Sequence, residues 1–460
     1  MFKDNYHGFV IKLFFIFPLI SYCVLTLFWK APELIFLSEL ICFWIFFFIV
    51  LPTLRKFDNG SFSLGHLWVI IVGIQLVLIP ILMTFFGISM FRLHREVSDN
   101  NFRSAVLLQS FSYLVFGLGF ISRRARANLP STVNIENTVS LLRVLFLGGS
   151  VGVFCLLYLK VTGDDSISGI FSSNSNFILK FMAITFSPWL FFAYVYWYFC
   201  KIKTVKNLKN FFFFSSFLGV LSLSPLLLLN LNRAVLFVPT VIFLLIRFPP
   251  TFSFRSLTAW GLMIIFAGII FAQIGDYRAR VNVSQKNRYS LESAGYTPNP
   301  SVAQTLQLYT NSPQYLGYGL QYIDREKISW RTPIISLLLP LPKMSFLANL
   351  RLDGSTLFNY SVYERINVRD LYFSSAGEIF LSYGLFGFFV FFFASGIILK
   401  YFHDEFIRSQ QQFKKYVYLL AGFWLMLLPI FSISVISQIF FYQIAPVLFI
   451  LRLTKNRVVH

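Results

Sequence analysis

The stretch GDYRAR (275–280) opens a polar segment that ends at Tyr372, just before FSSAGEIFLSYGLFG (373–387). This segment, 276–372, is the only long polar part of the 460-residue chain. It carries eleven Lys or Arg residues, seven Asp or Glu residues and ten of the 22 tyrosines. Apolar runs long enough to cross a bilayer flank it on both sides. We therefore predict that 276–372 folds as a loop outside a membrane and that the apolar runs form its scaffold.

The composition is that of an integral membrane protein, with 57% hydrophobic residues and a mean hydropathy of +0.68. A net charge of +20 in a soluble protein would indicate a nucleic-acid partner. Here the basic residues lie in short connections between apolar runs, which indicates membrane topology and attraction to anionic membrane lipid, and no nucleic acid. The four cysteines lack metal-ligand spacing and 276–372 contains no histidine, so the sequence predicts neither a metal site nor a cofactor.

Runs of ~20 mostly apolar residues predict an all-α polytopic membrane protein with about twelve transmembrane helices. The predicted helices lie near 11–29, 33–54, 64–88, 104–122, 139–160, 178–200, 211–229, 234–248, 256–275, 373–399, 416–431 and 434–452. Helices 1–9 occupy 1–275, the large extracytoplasmic loop occupies 276–372 between helices 9 and 10, and helices 10–12 occupy 373–460.

Basic residues predict the orientation, because positively charged connections stay on the cytoplasmic side. With the N-terminus inside, every inner connection is basic, whereas the connection after the fifth helix is acidic and rich in serine. Only the 89–103 connection, with Arg92, Arg95 and Arg103, opposes this pattern. We therefore predict that both termini are cytoplasmic and that 276–372 lies outside.

Two short helices are predicted within the loop. SVAQTLQLY (301–309) has apolar residues at helical spacing and precedes Asn311-Ser312-Pro313, where the helix should stop. Thr332 followed by Pro333 is typical of a helix start, and the apolar run up to Pro340 is too short to cross a membrane. We predict an interfacial or re-entrant piece that lies against the helix bundle.

Arginines near the predicted outer helix ends are candidate ligands for an anion. Arg233 follows the polar break Leu229-Asn230-Leu231-Asn232, and it either binds an anionic ligand at the membrane boundary or extends to lipid headgroups. Arg278 and Arg280, beside Tyr277, either clamp a diphosphate bidentately or simply flank the end of a helix.

Glu378 lies about one turn into an apolar helix, and a carboxylate at membrane depth needs a partner. We expect that partner to be one of the outer arginines, in either a functional site or a structural ion pair. Gly384 and Gly387 have a spacing that allows close helix packing. The loop tyrosines and Trp330 fit either stacking on sugar rings or a small core with a membrane-interface belt.

Several of these features occur together within 220–400. They are the Asn-Leu-Asn-Arg233 helix start, the Tyr277-Arg278 pair that opens a long outer loop, and the closing Ala-Gly-Glu378-x-x-x-x-Tyr383-Gly-Leu-x-Gly. In this combination the chain resembles the Wzy-type oligosaccharide repeat-unit polymerases, which make O-antigen and exopolysaccharide. The resemblance implies a multi-pass protein of the bacterial inner (plasma) membrane.

The resemblance also implies a reaction, which is glycosyl transfer outside the inner membrane. A growing glycan on undecaprenyl diphosphate would move onto the sugar of an incoming lipid-linked repeat unit. Fixed arginines would stabilise the diphosphate leaving group without a metal. Glu378 is the first candidate for the base that accepts the proton of the acceptor hydroxyl, and Asp276 is the second.

The remaining candidate site residues are substrate-binding ones. Tyr277 and Tyr383 join the three arginines, and Arg365 and Arg369 are candidates for acceptor-side or loop-folding roles. The implied partners are undecaprenyl-diphosphate-linked oligosaccharide, membrane lipid and a chain-length-regulating co-polymerase.

Two other classes of protein share parts of this pattern. The O-antigen ligases have the same architecture with a different acceptor, but they use a His in the large outer loop and 276–372 contains none. A lipid-linked oligosaccharide flippase or another transporter would place its charges along helices that line a central path, whereas here the charges concentrate in one outer segment.

Overall fold

The computed structural model describes residues 64–73, 97–122, 138–162, 177–202, 208–228, 233–249, 312–341, 353–363 and 373–455. Within these ranges all regular secondary structure is helical, which agrees with the predicted all-α class. The helices are α1 (Leu64–Gly73), α2 (Asp99–Ser122), α3 (Thr138–Val161), α4 (Phe177–Phe186), α5 (Trp189–Lys201), α6 (Leu208–Leu228), α7 (Arg233–Arg247), α8 (Ser312–Tyr322), α9 (Thr332–Leu338), α10 (Gly354–Tyr363), α11 (Ser375–Arg408), α12 (Gln412–Met426), α13 (Ile433–Ile439) and α14 (Ala445–Lys455). A π-helical turn, Phe440–Ile444, joins α13 to α14.

Four helical stretches in the described residues are long and apolar enough to cross a membrane. They are Leu141–Leu159, Ile178–Lys201, Ser375–Arg408 and Ile433–Arg452. Two shorter apolar helices cover Asn210–Ser224 and Val238–Arg247. The predicted helices near 11–29, 33–54 and 256–275 lie outside the described residues.

Large apolar side chains on the outside of α3 and α6 support a membrane environment. On α3 they include Phe146, Leu147 and Phe154, and on α6 they include Phe213 and Phe217. Contiguous exposed apolar faces of this kind are rare in soluble monomers, where water would surround them. These two helices therefore present faces suited to lipid.

The helix predicted over 178–200 is in fact two helices. α4 ends at Phe186 and α5 begins at Trp189, with Ser187 and Pro188 in a turn between them. Pro188 has no backbone N–H, so it removes one intrahelical hydrogen bond and favours a break or kink at this point. The two pieces together still form one of the four apolar stretches of spanning length.

The longest helix, α11, bends at Gly384 and packs against α2. Gly384 has φ 66° and ψ −165°, a conformation that only glycine adopts readily, so 375–383 and 385–408 are two helical segments. C-terminal to the bend, a Cβ on Gly396 of α11 would overlap the backbone of α2, and a Cβ on Gly119 of α2 would overlap the backbone of α11. The two helices therefore pack with their backbones in contact. Apart from its chain neighbours and its own helix backbone, no heavy atom of the described residues lies within 4 Å of a Cβ built on Gly384, so the close packing that its spacing to Gly387 predicts is not found there.

The described parts of 276–372 contain three short helices with a small core of their own. α8, α9 and α10 are each too short to span, and the core includes Tyr315, Leu357 and Phe358 together with Phe373 at the start of α11. The Phe358 and Phe373 rings stack with centroids 5.3 Å apart. α8 is joined to α2, since Gln321 Oε1 accepts a hydrogen bond from the backbone N–H of Ser98 at 2.8 Å.

The helix predicted to begin around Thr332 is confirmed as α9, with a different start. Arg331 occupies the N-cap position without a side-chain capping hydrogen bond, and Pro333 lies in the first turn. The Thr332 hydroxyl accepts a hydrogen bond from the backbone N–H of Ser329 at 3.1 Å and does not cap the helix. The predicted helix at 301–309 lies outside the described residues.

Candidate functional site around Glu378

Glu378 is the fourth residue of α11, about one turn into the helix as the sequence predicts. The helix begins because Ser374, in extended conformation, caps it, with its Oγ accepting from the Gly377 backbone N–H at 3.4 Å. The Glu378 side chain is fully buried. It lies where α9, α10 and α13 pack against the first turns of α11.

Ser336 of α9 is the hydrogen-bond partner of this carboxylate. Its Oγ donates to Glu378 Oε1 and accepts from the backbone N–H of Gly354 at 3.2 Å. Gly354 also lies close to the carboxylate, because a Cβ at this position would be 2.5 Å from Glu378 Cδ. One serine hydroxyl thus connects α9, the start of α10 and the start of α11.

Further buried serines fix the helices around this junction. Ser437 Oγ on α13 donates to the carbonyl of Ser336 at 3.2 Å, and the hydroxyls of Ser355 and Ser434 are 3.3 Å apart. The backbone N–H of Ser375 donates to the carbonyl of Phe431 at 2.9 Å. These bonds between separate helices leave little freedom in the position of the carboxylate.

Asp353 is a second buried acid beside Glu378. It caps α10, with Oδ2 accepting from the backbone N–H of Thr356 at 3.1 Å, and is only 1% exposed. Burial raises the pKa of Asp353 above its ordinary value. Its charge repels a negative charge on Glu378, so the two acids interact as like charges.

Neither acid is fully satisfied. Asp353 Oδ1 and Glu378 Oε2 are buried and have no hydrogen-bond partner among the described residues. Among the described residues the Glu378 carboxylate is bonded to Ser336 and to no Lys or Arg; the outer arginines expected as its partner lie outside the described side chains, so that expectation stays a prediction. The helices α10, α11 and α13 all begin at this point, and their N-terminal ends carry partial positive charge that favours an anion.

Most of the other predicted site residues lie outside the described residues. They are Asp276, Tyr277, Arg278, Arg280, Arg365 and Arg369. Arg233 is the first residue of α7, as expected for the end of the polar break, but its side chain is also outside the described part. Tyr383 precedes the bend at Gly384, is partly exposed, and interacts electrostatically with Glu378.

Sequence reasoning missed Ser336, Asp353 and Gly354 as neighbours of Glu378. The run Asp353-Gly354-Ser355-Thr356 contains the capping signal for α10, since an Asp before a helix accepts from its first free N–H groups. That signal predicts a helix start, but it does not predict that this start packs against α11. No sequence pattern marks Ser336, because a single serine in a short apolar helix is common.

A surface of cationic and aromatic side chains lies on the same polar segment. The guanidinium of Arg331 lies 5.2 Å from the ring centre of Trp330, which is 59% exposed. Lys327 lies 5.7 Å from the ring centre of Tyr360 and pairs with Asp324 at 3.3 Å. Exposed rings of this type suit stacking on sugars, and that role for Trp330 stays a prediction.

The described residues hold no group of three or more His, Cys, Asp or Glu side chains arranged to bind a metal ion. Comparison of the chain with protein-family models, curated proteins and solved structures finds no match.

Proposed function

We propose that the chain is a metal-independent glycosyltransferase that polymerises undecaprenyl-diphosphate-linked oligosaccharide repeat units on the outer face of the bacterial inner membrane. The observation that supports this is the position of Glu378. Its carboxylate lies at the start of a helix of spanning length, enclosed by helices from the polar segment 276–372. A lipid-linked sugar presents its diphosphate at this kind of boundary between membrane and folded loop.

The proposal includes a topology. Twelve helices span the membrane, both termini are cytoplasmic, and 276–372 is periplasmic. The four described stretches of spanning length and the basic connections of the sequence support this arrangement. Labelling of cysteines introduced near 290 and 410 tests it. A membrane-impermeant reagent should reach position 290 in intact cells, and labelling of 410 without 290 would reverse the orientation.

In the proposed reaction the arginines act on the leaving group. Arg233, Arg278 and Arg280 are each predicted at the outer end of a helix, so they would meet one diphosphate at one depth. The departing diphosphate gains negative charge, which planar guanidinium groups stabilise with paired hydrogen bonds. Loss of one such contact costs a factor of roughly 10²–10³ in rate.

The base is Glu378 or Asp276 in this proposal. In the described conformation Glu378 has no access to solvent, so contact with an acceptor hydroxyl requires α9 and α10 to move away from α11. This places a requirement on the mechanism, since the carboxylate becomes available only when the Ser336 and Gly354 contacts open. Asp276 would serve without such a movement if it faces the acceptor.

A transporter of lipid-linked oligosaccharide is the second candidate, because buried charged residues occur within spanning stretches. Lys180, Lys400 and Asp404 are all buried in addition to Glu378. Charged groups inside membrane helices commonly mark substrate or ion pathways. A flippase would move the lipid-linked unit across a vesicle bilayer without lengthening its glycan.

The decisive experiment uses the purified full-length protein with lipid-linked repeat units in the presence of EDTA. A ladder of lengthened glycans is expected, and it should disappear with Arg233→Ala or Arg278→Ala and also with Arg233→Lys. Normal ladders from both alanine variants would remove the diphosphate site from these residues. Transport of the lipid-linked unit across vesicles without any lengthening of its glycan would favour the flippase. If EDTA abolished the polymerase activity and one added metal restored it, the metal-independent mechanism would be excluded.

A further inference from the structure

Asp353 and Glu378 form a pair of acids sealed inside the protein where four helices meet. Glu378 is fully buried and Asp353 nearly so. Gly354, the neighbour of Asp353, lies against the Glu378 carboxyl group. The two acids are not hydrogen-bonded to each other, and each keeps one oxygen without a partner in the described part of the chain.

Donors at the helix starts reach one oxygen of each acid, namely the Ser336 hydroxyl for Glu378 and the Thr356 backbone N–H for Asp353, while the other oxygen of each acid has no partner among the described residues. The side-chain oxygen of Asn359, one turn beyond Ser355 on α10, is also buried and has no partner among the described residues. Three buried acceptor atoms without donors are costly, because each has lost its hydrogen bond to water. One added hydrogen on a carboxyl group would convert an acceptor into a donor and reduce this imbalance.

Nothing cationic balances the pair among the described residues. The helices α8, α9, α10 and α13 contain no Lys or Arg in their sequences. The titratable residues in the sequences of α8 and α10 are all phenols (Tyr315, Tyr318, Tyr322, Tyr360 and Tyr363), and α9 and α13 have none. On α11 the phenol of Tyr383 interacts with Glu378, whereas Lys400 and the charged residues after it lie about six turns further along the helix. A phenol is neutral near pH 7 and cannot offset a carboxylate charge.

The helix N-termini and the Ser336 hydroxyl stabilise one negative charge better than two. Each helix N-terminus is equivalent to roughly half a positive charge, and it acts only over the first turn. A second carboxylate charge in the same buried place adds repulsion in a low dielectric, where charges interact strongly. Pairs of acids in such surroundings take up one proton between them.

We propose that Asp353 and Glu378 together form a proton-binding site that holds one proton at neutral pH and keeps α9 and α10 docked on α11. When that proton leaves, two negative charges face each other across the contact between Gly354 and Glu378, and the start of α10 separates from α11. The proton site stands independently of glycosyl transfer, because it requires only the helix contacts described above.

Infrared spectroscopy of the full-length protein in lipid bilayers tests this directly. A protonated carboxylic acid has a carbonyl band separate from those of carboxylates and amides, and the band shifts in D₂O. The native protein should show it at neutral pH, and it should disappear at alkaline pH. Glu378→Gln should remove it, Asp353→Asn should move its titration, and Ser336→Ala should shift its position by removing the hydrogen bond to Oε1.

Asp324→Asn is the matched control, because this acid lies on the same polar segment but is exposed and paired with Lys327. It should leave the band unchanged. Absence of the band from the native protein at neutral pH would overturn the proposal, even if Glu378→Gln fails to fold. A carbonyl band that persists in both Glu378→Gln and Asp353→Asn would place the proton on another residue. A band that the native protein shows only after Na⁺ is removed would mean that the two acids bind a cation and not a proton.

Discussion

Gly354 and Glu378 touch so closely that a Cβ on Gly354 would lie 2.5 Å from Glu378 Cδ and 2.8 Å from Oε1. Gly354→Ala should therefore push α10 away from α11 and weaken the Ser336 hydrogen bonds on both sides. Overpacking of this kind costs roughly 1–3 kcal/mol. The loss of stability is measured as a lower midpoint of thermal unfolding in detergent for Gly354→Ala than for the native protein.

Ser361→Ala is the control for that substitution, since Ser361 lies on the same helix and is only partly buried. It should change the unfolding midpoint little. Equal midpoints for Gly354→Ala and Ser361→Ala would mean that α10 can shift without cost and that the contact does not fix the carboxylate.

The buried aspartate predicts a pH dependence of stability. Because burial raises the pKa of Asp353, the folded protein binds a proton there more tightly than the unfolded chain. Its contribution to the free energy of unfolding is full below the unfolded pKa of ~3.9. That contribution is lost as pH rises through the higher folded pKa. Asp353→Asn should therefore lose less stability than the native protein as the pH is raised, as measured by unfolding midpoints across a pH series.

The pKa of Asp324 is shifted in the opposite direction to that of Asp353, so its effect on stability has the opposite pH dependence. The backbone N–H of Glu326 and the side chain of Lys327 hold the pKa of Asp324 below its usual range. Its contribution is therefore present above the unfolded pKa and lost as pH falls through the folded pKa. Asp324→Asn should change the unfolding midpoints only on the acid side of the pH series.

For Asp353 the contradicting outcome is a pH series in which Asp353→Asn and the native protein have the same dependence of midpoint on pH, because a buried Asp353 must alter that dependence.

Helices of spanning length could be predicted from the sequence, because an apolar run of that length has few alternatives in a bilayer. The contacts of Glu378 could not, since Ser336 and Gly354 are distant along the chain and have no special hydropathy. α8 was missed because Pro313 was interpreted as a stop, whereas proline is well tolerated in the first turn of a helix. The glycine spacing at Gly384 predicted packing, and the backbone bends there instead.

The bend at Gly384 gives a prediction about backbone conformation alone. Its φ of 66° and ψ of −165° disfavour any residue with a side chain, while no other described helix lies within 4 Å of a Cβ at this position. Gly384→Ala should cost roughly 1–3 kcal/mol through backbone strain, without a steric clash. Leu385→Ala, next to it and exposed, is the control. Unfolding midpoints that match for the two variants would show that α11 can straighten without loss.

Lys400 and Asp404, one turn apart on α11, form a buried ion pair with Nζ and Oδ1 3.1 Å from each other. Lys400→Met leaves the Asp404 carboxylate buried without this partner, and such a loss costs about 3–5 kcal/mol. Adding Asp404→Leu should restore most of that stability, because two apolar side chains of similar volume need no desolvated charge. Chemical unfolding of the single and double variants measures the difference as a double-mutant cycle.

Arg408→Met is the matched control for the pair on the same helix. Arg408 lies 4.0 Å from Glu405 and both side chains are more exposed, so the loss should stay below about 1 kcal/mol. A transporter whose substrate path uses Lys400 would lose transport in the double variant even though the fold is restored. If the double variant is no more stable than Lys400→Met alone, the cost of that single substitution comes from lost packing around Lys400 and not from an unpaired Asp404.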